Sequence, residues 1–314
     1  MPSSSACSTV WSVSTGAPST PATAWVSRAV VSSSSSSADG SGWRAQPTTT
    51  SAPSPSSASP TELESLVQTA LITGASSGLG AGLAKELAKR GYAVGLIARR
   101  EGLLSELCES IALAGGTAAW RSADVTDREG LQQAMRELEA ELGACDLMVA
   151  NAGGGGSGPI EDFSAEQANG IMRLNYEGTV NAIEAVLPGM LERGHGQIVA
   201  TSSLAAYRGV APGGPYSAAK AAVSTLMEAL SVELRPRGIA VTTVHPGFVR
   251  TPLTDKNDFS MPFLMELDDA VQAMADGIVS RRREVNFPWQ MATLMRVVRW
   301  LPRWVFEPVL RRLS

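Results

Sequence analysis

Tyr216 and Lys220 stand four residues apart in a run of helical spacing, which puts their side chains on one face of a helix. A tyrosine titrates near 10, too high for proton exchange at neutral pH, but a neighbouring ammonium favours the phenolate. Lowering the phenol by about three units takes roughly 4 kcal/mol of differential interaction, within reach of a cation held close in a partly dry site. The other tyrosines, Tyr92, Tyr176 and Tyr207, are followed four residues on by Leu96, Val180 and Ala211, so only Tyr216 has a lysine partner. By itself the pair also fits an ordinary exposed helix face, because lysine is common there. Thirteen residues before Tyr216, the apolar run Gln197–Ser202 ends at Ser203.

Such a pair needs elements that hold it beside a second reactant. Thr69-Ala-Leu-Ile-Thr-Gly-Ala-Ser-Ser-Gly-Leu-Gly80 is an apolar run that breaks into a glycine-rich turn and then a helical pattern. Gly74, Gly78 and Gly80 let the backbone turn tightly and approach a pyrophosphate, while the N–H groups opening the helix face the anion. Gly74, Ser76, Ser77, Gly78, Leu79 and Gly80 are therefore the expected phosphate-side contacts. The spacing is Gly-x-x-x-Gly-x-Gly, not the commoner Gly-x-Gly-x-x-Gly, so the turn alone also fits a strand-to-helix connection without ligand.

Short apolar runs alternate with longer helical patterns beyond Glu64, the mark of βαβ units and a doubly wound parallel sheet, Rossmann-like. Seven strands are expected near Gln68–Thr73, Ala93–Ala98, Thr117–Arg121, Asp146–Ala150, Gln197–Ser202, Ala240–His245 and Glu284–Phe287. Helices are expected over Ala81–Arg90, Gly102–Ala114, Arg128–Leu142, Ala165–Arg193, Pro215–Arg235 and Asp268–Arg282, with Gly91, Gly115 and Gly143 as stop signals. Ligands of such sheets bind beyond the carboxyl ends of the strands. There the second strand ends in Ala98-Arg99-Arg100, without the acidic residue that would bind the adenosine ribose of NAD. Two guanidinium groups suit a 2′-phosphate, which favours NADP(H) over NAD(H), although exposed arginines also simply solvate loops. The third strand runs into Asp124-Val125 and the fourth into Asn151-Ala152-Gly153, small turns where a cofactor can lie close.

Jointly these residues resemble the short-chain dehydrogenase/reductase family, its single-domain branch, over about Val67 to Phe287. Thr73-Gly74-x-x-x-Gly78-x-Gly80, Asp124, Asn151-Ala152-Gly153, Asn175, Ser203, Tyr216, Lys220 and Pro246-Gly247 match family motif positions in the family order. The resemblance implies that Tyr216 exchanges the proton with the substrate oxygen and that Ser203 hydrogen-bonds that oxygen. Lys220 is implied to hold the nicotinamide ribose and lower the pKa of Tyr216, helped by the charge of the oxidised nicotinamide. Asn175 is implied to position a water linking Lys220 to solvent, and Pro246, Gly247, Val249 and Thr251 to hold the carboxamide. The function expected is hydride transfer between nicotinamide and a carbonyl or secondary alcohol. A catalytically silent NADP-binding sensor is the alternative, though it has no need for this proton relay. Homodimers or homotetramers are usual for the family. An apolar substrate fits a pocket formed by Leu204–Pro215 and Pro252–Leu267, which includes Phe259, Met261, Phe263 and Leu264.

Composition sets the outer bounds. The 314-residue chain has a net charge of −4, and its mildly acidic body argues against nucleic acid. Residues 1–64, rich in Ser, Thr, Ala and Pro with only Arg28, Asp39 and Arg44 charged before Pro60, are expected to be a disordered tail. Organelle import by that segment, or a start codon assigned too far upstream, stays open. Cys7, Cys108 and Cys145 are odd in number and far apart, so neither a disulfide framework nor a metal site is expected, and a reducing cytoplasm fits. His195 and His245 lack acidic or cysteine partners and read as structural. Asn151–Gly158 has more glycine than a cofactor turn requires, so a mobile loop is expected there. Residues 65–288 form the oxidoreductase domain, and 289–314 an amphipathic extension of two helices broken at Pro302. In it, Met291, Leu294, Met295 and Val298 recur at helical spacing beside Arg296, Arg299, Arg303, Trp300 and Trp304. Packing of that stripe on its own domain or on another subunit is favoured over contact with an anionic membrane.

Overall fold

Inside the sheet, strands form where apolar runs are covered on both faces, while the two edge strands are partly exposed, and all seven expected strands are present. The computed structural model describes residues 67–155, 160–252, 254 and 261–313, so the expected tail and Phe259 lie outside the described residues. The strands are β1 (Thr69–Thr73), β2 (Ala93–Ala98), β3 (Thr117–Ser122), β4 (Cys145–Ala150), β5 (Gly196–Thr201), β6 (Ile239–Pro246) and β7 (Glu284–Phe287). They make one sheet in the order β3-β2-β1-β4-β5-β6-β7, and every pairing is parallel. Chain direction across the sheet reverses between β1 and β4. A crevice therefore opens beyond their carboxyl ends, beside the turn after β1.

Alternate side chains of each strand feed opposite faces. On one face, Ile72, Leu96 and Val149 pack with Leu83 and Leu87 of α1 (Gly78–Lys89), Leu104 of α2 (Glu101–Leu113) and Met274 of α7 (Leu267–Val279). On the other, Leu71, Met148 and Ile198 pack with Leu131 and Leu138 of α3 (Arg128–Leu142), Ile183 of α5 (Gly178–Arg193) and Val223 and Met227 of α6 (Gly214–Leu234). Burial of each large apolar side chain contributes about 1.5–3 kcal/mol, which makes the sheet a rigid base for the loops above it.

Helix ends follow local chemistry. Asp127 caps α3 by accepting from the Gly130 amide at 3.2 Å, and Ser164 caps α4 (Ala165–Met172) through the Gln167 amide at 3.1 Å. The helix expected to reach Arg282 stops at Val279. There Arg281 takes φ 49°, and the amides of Arg281 and Arg282 close back on the carbonyls of Ile278 and Gly277. The helix expected as one piece over Ala165–Arg193 is also interrupted, since a π-helical turn over Arg173–Glu177 separates α4 from α5. The extension forms α8 (Trp289–Trp300) and α9 (Arg303–Leu313), broken at Pro302 as expected. Among the described residues, no helix is long and apolar enough to cross a membrane.

Candidate active site

A cleft of about 1120 Å³ lies over the carboxyl ends of β1, β4, β5 and β6. Its floor at β1 is the glycine turn. Gly74 has φ +67°, and a Cβ there would fall 2.7 Å from Ala152 Cα, so only the bare backbone fits. Thr73 Oγ accepts from the amides of Asn151 and Ala152, both at 3.1 Å, and Asn151 reaches the Thr73 carbonyl at 3.2 Å. Thr201 Oγ donates to Asn151 Oδ1 at 3.2 Å, so the Asn151 side chain ties three strand ends together. At the start of α1, Ser77 makes no side-chain cap, which leaves helix N–H groups open to the cleft.

The two arginines after β2 part company. Arg100 lays its guanidinium on the turn, donating to Ser76 Oγ at 2.8 and 3.1 Å and to Ser77 Oγ at 2.6 Å. Arg99, exposed like Arg100, points elsewhere and lies 3.4 Å from Asp124 Oδ2. Burial works against the charge of Asp124, but hydrogen bonds from the Thr126 amide and hydroxyl and from Arg99 outweigh it, and the pKa falls.

Opposite the turn, α6 delivers Tyr216 and Lys220. Lys220 is buried beneath the cleft, its Nζ donating to the Thr201 carbonyl at 2.7 Å and lying 5.8 Å from the centre of the Tyr216 ring. Burial pulls its pKa down to about 8. Tyr216 differs from expectation in the protein alone: burial raises its pKa, and a hydrogen bond with Ser203 offsets this only in part. Lys220 donates to a carbonyl from below the ring, so its charge does not reach the phenol strongly enough to reverse the effect of burial. Ser203 Oγ also accepts from the Ala205 amide at 3.1 Å.

Its neighbour Ser202 is committed elsewhere. Ser202 Oγ donates to the Lys220 carbonyl and lies 2.8 Å from Ser224 Oγ, which in turn lies 3.0 Å from Nε2 of buried His245. Of the two adjacent serines, Ser203 is the one hydrogen-bonded to Tyr216. The pKa of His245 is pulled down to about 4 by burial.

Asn175 occupies the π-helical turn, fully buried. Its Nδ2 donates to the carbonyls of Gly154 at 2.6 Å and Ile171 at 2.9 Å, and its Oδ1 accepts from the Gly154 amide at 3.3 Å. The side-chain donation to Ile171 falls within the π-helical turn over Arg173–Glu177. Gly154 is thereby pinned, and the glycine run is close packing as far as it is described. A Cβ on Gly155 would lie 2.6 Å from Tyr216 Cδ2, and one on Gly153 would lie 2.7 Å from Asn175 Oδ1 and 3.0 Å from Lys220 Nζ. Mobility is not needed to explain Gly153–Gly155. Gly156–Gly158 lie outside the described residues.

The cleft is closed by Leu204, Ala205 and Val210–Gly213 on one side and by Phe248, Pro252 and Thr254 on another. Pro246, Gly247, Val249 and Thr251 line it as well, with Thr251 Cγ2 only 3.4 Å from where a Gly78 Cβ would be. Met261 and Leu264, expected in the pocket, are not among its walls, and Phe263 is half exposed. Met265 pairs its backbone with Val249 in an isolated bridge. Met291 and Met295 of α8 supply a wall, and α8 packs through Ala292 and Met295 on Leu204 and Tyr207. The stripe Met291–Leu294–Met295–Val298 was the available signal, though nothing in it named the cleft. Arg208 was not foreseen. It donates to the carbonyls of Arg299 and Leu301, both at 2.9 Å, closing the end of α8, and stacks 4.4 Å from the Phe306 ring centre of α9.

A glycine cradle that any Cβ would fill, an open helix N-terminus and a buried ammonium fit a nicotinamide dinucleotide laid across the strand ends. The family model described as short chain dehydrogenase matches residues 68–260. The chain belongs to the short-chain dehydrogenase/reductase family. It is 47% identical over 246 residues to an uncharacterised oxidoreductase of Myxococcus xanthus, covering 78% of this chain and 97% of that one. Among solved structures, a short-chain dehydrogenase from Sphingobium yanoikuyae in complex with NADPH is 31% identical, with a TM-score of 0.65 over 71% of this chain and 88% of that one. An actinorhodin polyketide ketoreductase variant with NADPH is 29% identical, with a TM-score of 0.66 over 72% of this chain and 97% of that one. This short-chain dehydrogenase/reductase is thus an oxidoreductase by family. Among the described residues, no group of three or more metal-ligating side chains is gathered.

Proposed function

We propose that this enzyme transfers a hydride between C4 of a nicotinamide, with NADP(H) preferred over NAD(H), and the carbonyl or secondary-alcohol carbon of an apolar small molecule. One observation carries the reading: Tyr216, hydrogen-bonded to Ser203 and underlain by Lys220, faces the same cleft as the open start of α1 and Arg100. NADPH in the names of two structural relatives, one of them a ketoreductase, supports it.

When bound, the cofactor supplies the hydride donor or acceptor. The turn at Gly74 and the N–H groups of α1 would hold its pyrophosphate, and Arg100 with Ser76 and Ser77 would hold a 2′-phosphate. Lys220 would hold the nicotinamide ribose, Asp124 and Val125 would border the adenine side, and Val249 and Thr251 would hold the carboxamide. Ser203 hydrogen-bonds the substrate oxygen, and Tyr216 gives that oxygen its proton in reduction or takes it in oxidation. Burial keeps the phenol protonated, which suits carbonyl reduction. Asn175, pinned between Ile171 and Gly154, fixes the wall beside Lys220.

The test is consumption of NADPH with a panel of apolar ketones and aldehydes. Turnover of at least one is expected. Tight NADPH binding with no turnover across the panel supports the silent sensor instead.

A further inference from the structure

α8 has two apolar faces, and its own domain uses only one. Met291 and Met295 face the cleft, while Trp289, Arg296, Val297 and Trp300 recur at helical spacing on the opposite side. Trp289 is 72% exposed, Val297 58% and Trp300 84%, and Trp304 at the start of α9 is 77% exposed. Three of the four tryptophans among the described residues are thus turned to solvent on one helix pair. Arg208 holds that pair firmly by closing the end of α8 and stacking on Phe306, so the outer face is a fixed surface.

Two occupants suit an exposed apolar face: a second copy of the chain, or a membrane. Charge separates them. Trp289–Ser314 carries five arginines against one glutamate, in a chain whose net charge is −4. Arg296 and Arg303 make exposed pairs with Glu284 at 3.9 Å and Glu307 at 3.5 Å, which solvent screens, and from Glu284 to Ser314 five arginines still outnumber two glutamates. Symmetric pairing of two such faces sets that excess positive charge against its own copy, and like charges oppose it. Anionic headgroups complement these arginines, and tryptophan sits well at the headgroup level.

We propose that the outer face of α8 and α9, with Trp289, Arg296, Val297, Trp300, Arg303 and Trp304, seats the enzyme on an anionic membrane surface. The inner face of the same helix walls the cleft, so a substrate dissolved in lipid reaches the site beside the platform. That second clause rests on the proposed oxidoreductase reading; the lipid contact does not.

The test is sedimentation of the full chain with vesicles of phosphatidylcholine alone or mixed with phosphatidylserine, at low and high salt. Binding is expected only with phosphatidylserine and should weaken with salt. The double variant Arg296→Gln/Arg303→Gln should lower partitioning about tenfold or more, and Trp300→Ala/Trp304→Ala should lower it too, with thermal unfolding unchanged because these side chains are exposed. Failure to pellet with phosphatidylserine, equal pelleting with neutral vesicles, or variants that pellet as before would overturn the proposal. So would variants whose main effect is to split an oligomer, as read by sedimentation velocity. Vesicle binding is measured without turnover, so its failure leaves the catalytic reading standing, and a failed substrate panel leaves the membrane contact standing.

Discussion

Burial raises the pKa of Tyr216 and pulls that of Lys220 down to about 8, so at neutral pH the phenol holds its proton above a still-charged ammonium. Tyr216→Phe removes that proton and leaves the phosphate turn untouched, so turnover should fall by three orders of magnitude or so while the NADP Kd changes little. Lys220→Ala should weaken both. Steady-state kinetics with calorimetry separates the two outcomes, and a wild-type kcat for Tyr216→Phe would contradict the assignment. The proposed NADP(H) preference rests on Arg100 more than on Arg99, because Arg100 lies on Ser76 and Ser77 whereas Arg99 faces Asp124. Arg100→Ala should cost NADP about 1.5–3 kcal/mol and NAD far less, and Arg99→Ala should cost less than Arg100→Ala. Equal losses for both cofactors by calorimetric titration would remove the basis for the preference.

His245 is expected to contribute to acid stability. The folded pKa of His245, about 4, lies below its unfolded value of about 6.5, so the unfolded chain binds the proton first as pH falls. The contribution is fully present above pH 6.5 and is lost between there and pH 4, up to about 3 kcal/mol. Urea unfolding of His245→Gln, which does not titrate, should show a flatter acid limb than wild type between pH 7 and 5. Parallel limbs would show that His245 is not the group responsible.

At the scale of elements, the glycine loop and the π-helical turn form one device. Asn175 pins Gly154, and Gly155 lets the backbone lie against the Tyr216 ring. Gly155→Ala should displace that ring and lower kcat about tenfold with little change in NADP affinity, because overpacking costs about 1–3 kcal/mol where the atoms cannot shift. Unchanged kcat would mean that the loop does not position the phenol. On the far wall, Met291→Ala and Met295→Ala should raise KM for bulky apolar ketones more than for small ones, since the side chains fill space in the cleft. Uniform effects across a size series would place them outside the substrate site.

For the whole molecule, what was legible depends on how local the cause is. The strands could be read because a parallel sheet covered on both faces demands continuous apolar runs, and Tyr216, Lys220, Ser203 and the turn at Gly74 kept fixed spacings. The π-helical turn could not be read, because a single wider turn leaves the apolar period nearly unchanged. The raised pKa of Tyr216 depends on burial by the glycine loop, and the clamp at Arg208 joins residues some ninety positions apart. Neither leaves a local pattern. The cleft walls were half read, since Val210–Gly213 line it as expected, Pro252 and Thr254 are the described residues of Pro252–Leu267 that do, and Met291 and Met295 of α8 add a wall that was not assigned. Hydride transfer at the Tyr216 site is tested most directly by reducing a ketone that the enzyme turns over with NADPH deuterated at the transferred C4 position. The alcohol formed should carry one deuterium on the former carbonyl carbon with wild type, and Tyr216→Phe should form almost none. Alcohol formed without the label from either face of the nicotinamide, or labelled at the wild-type rate by Tyr216→Phe, would contradict the account.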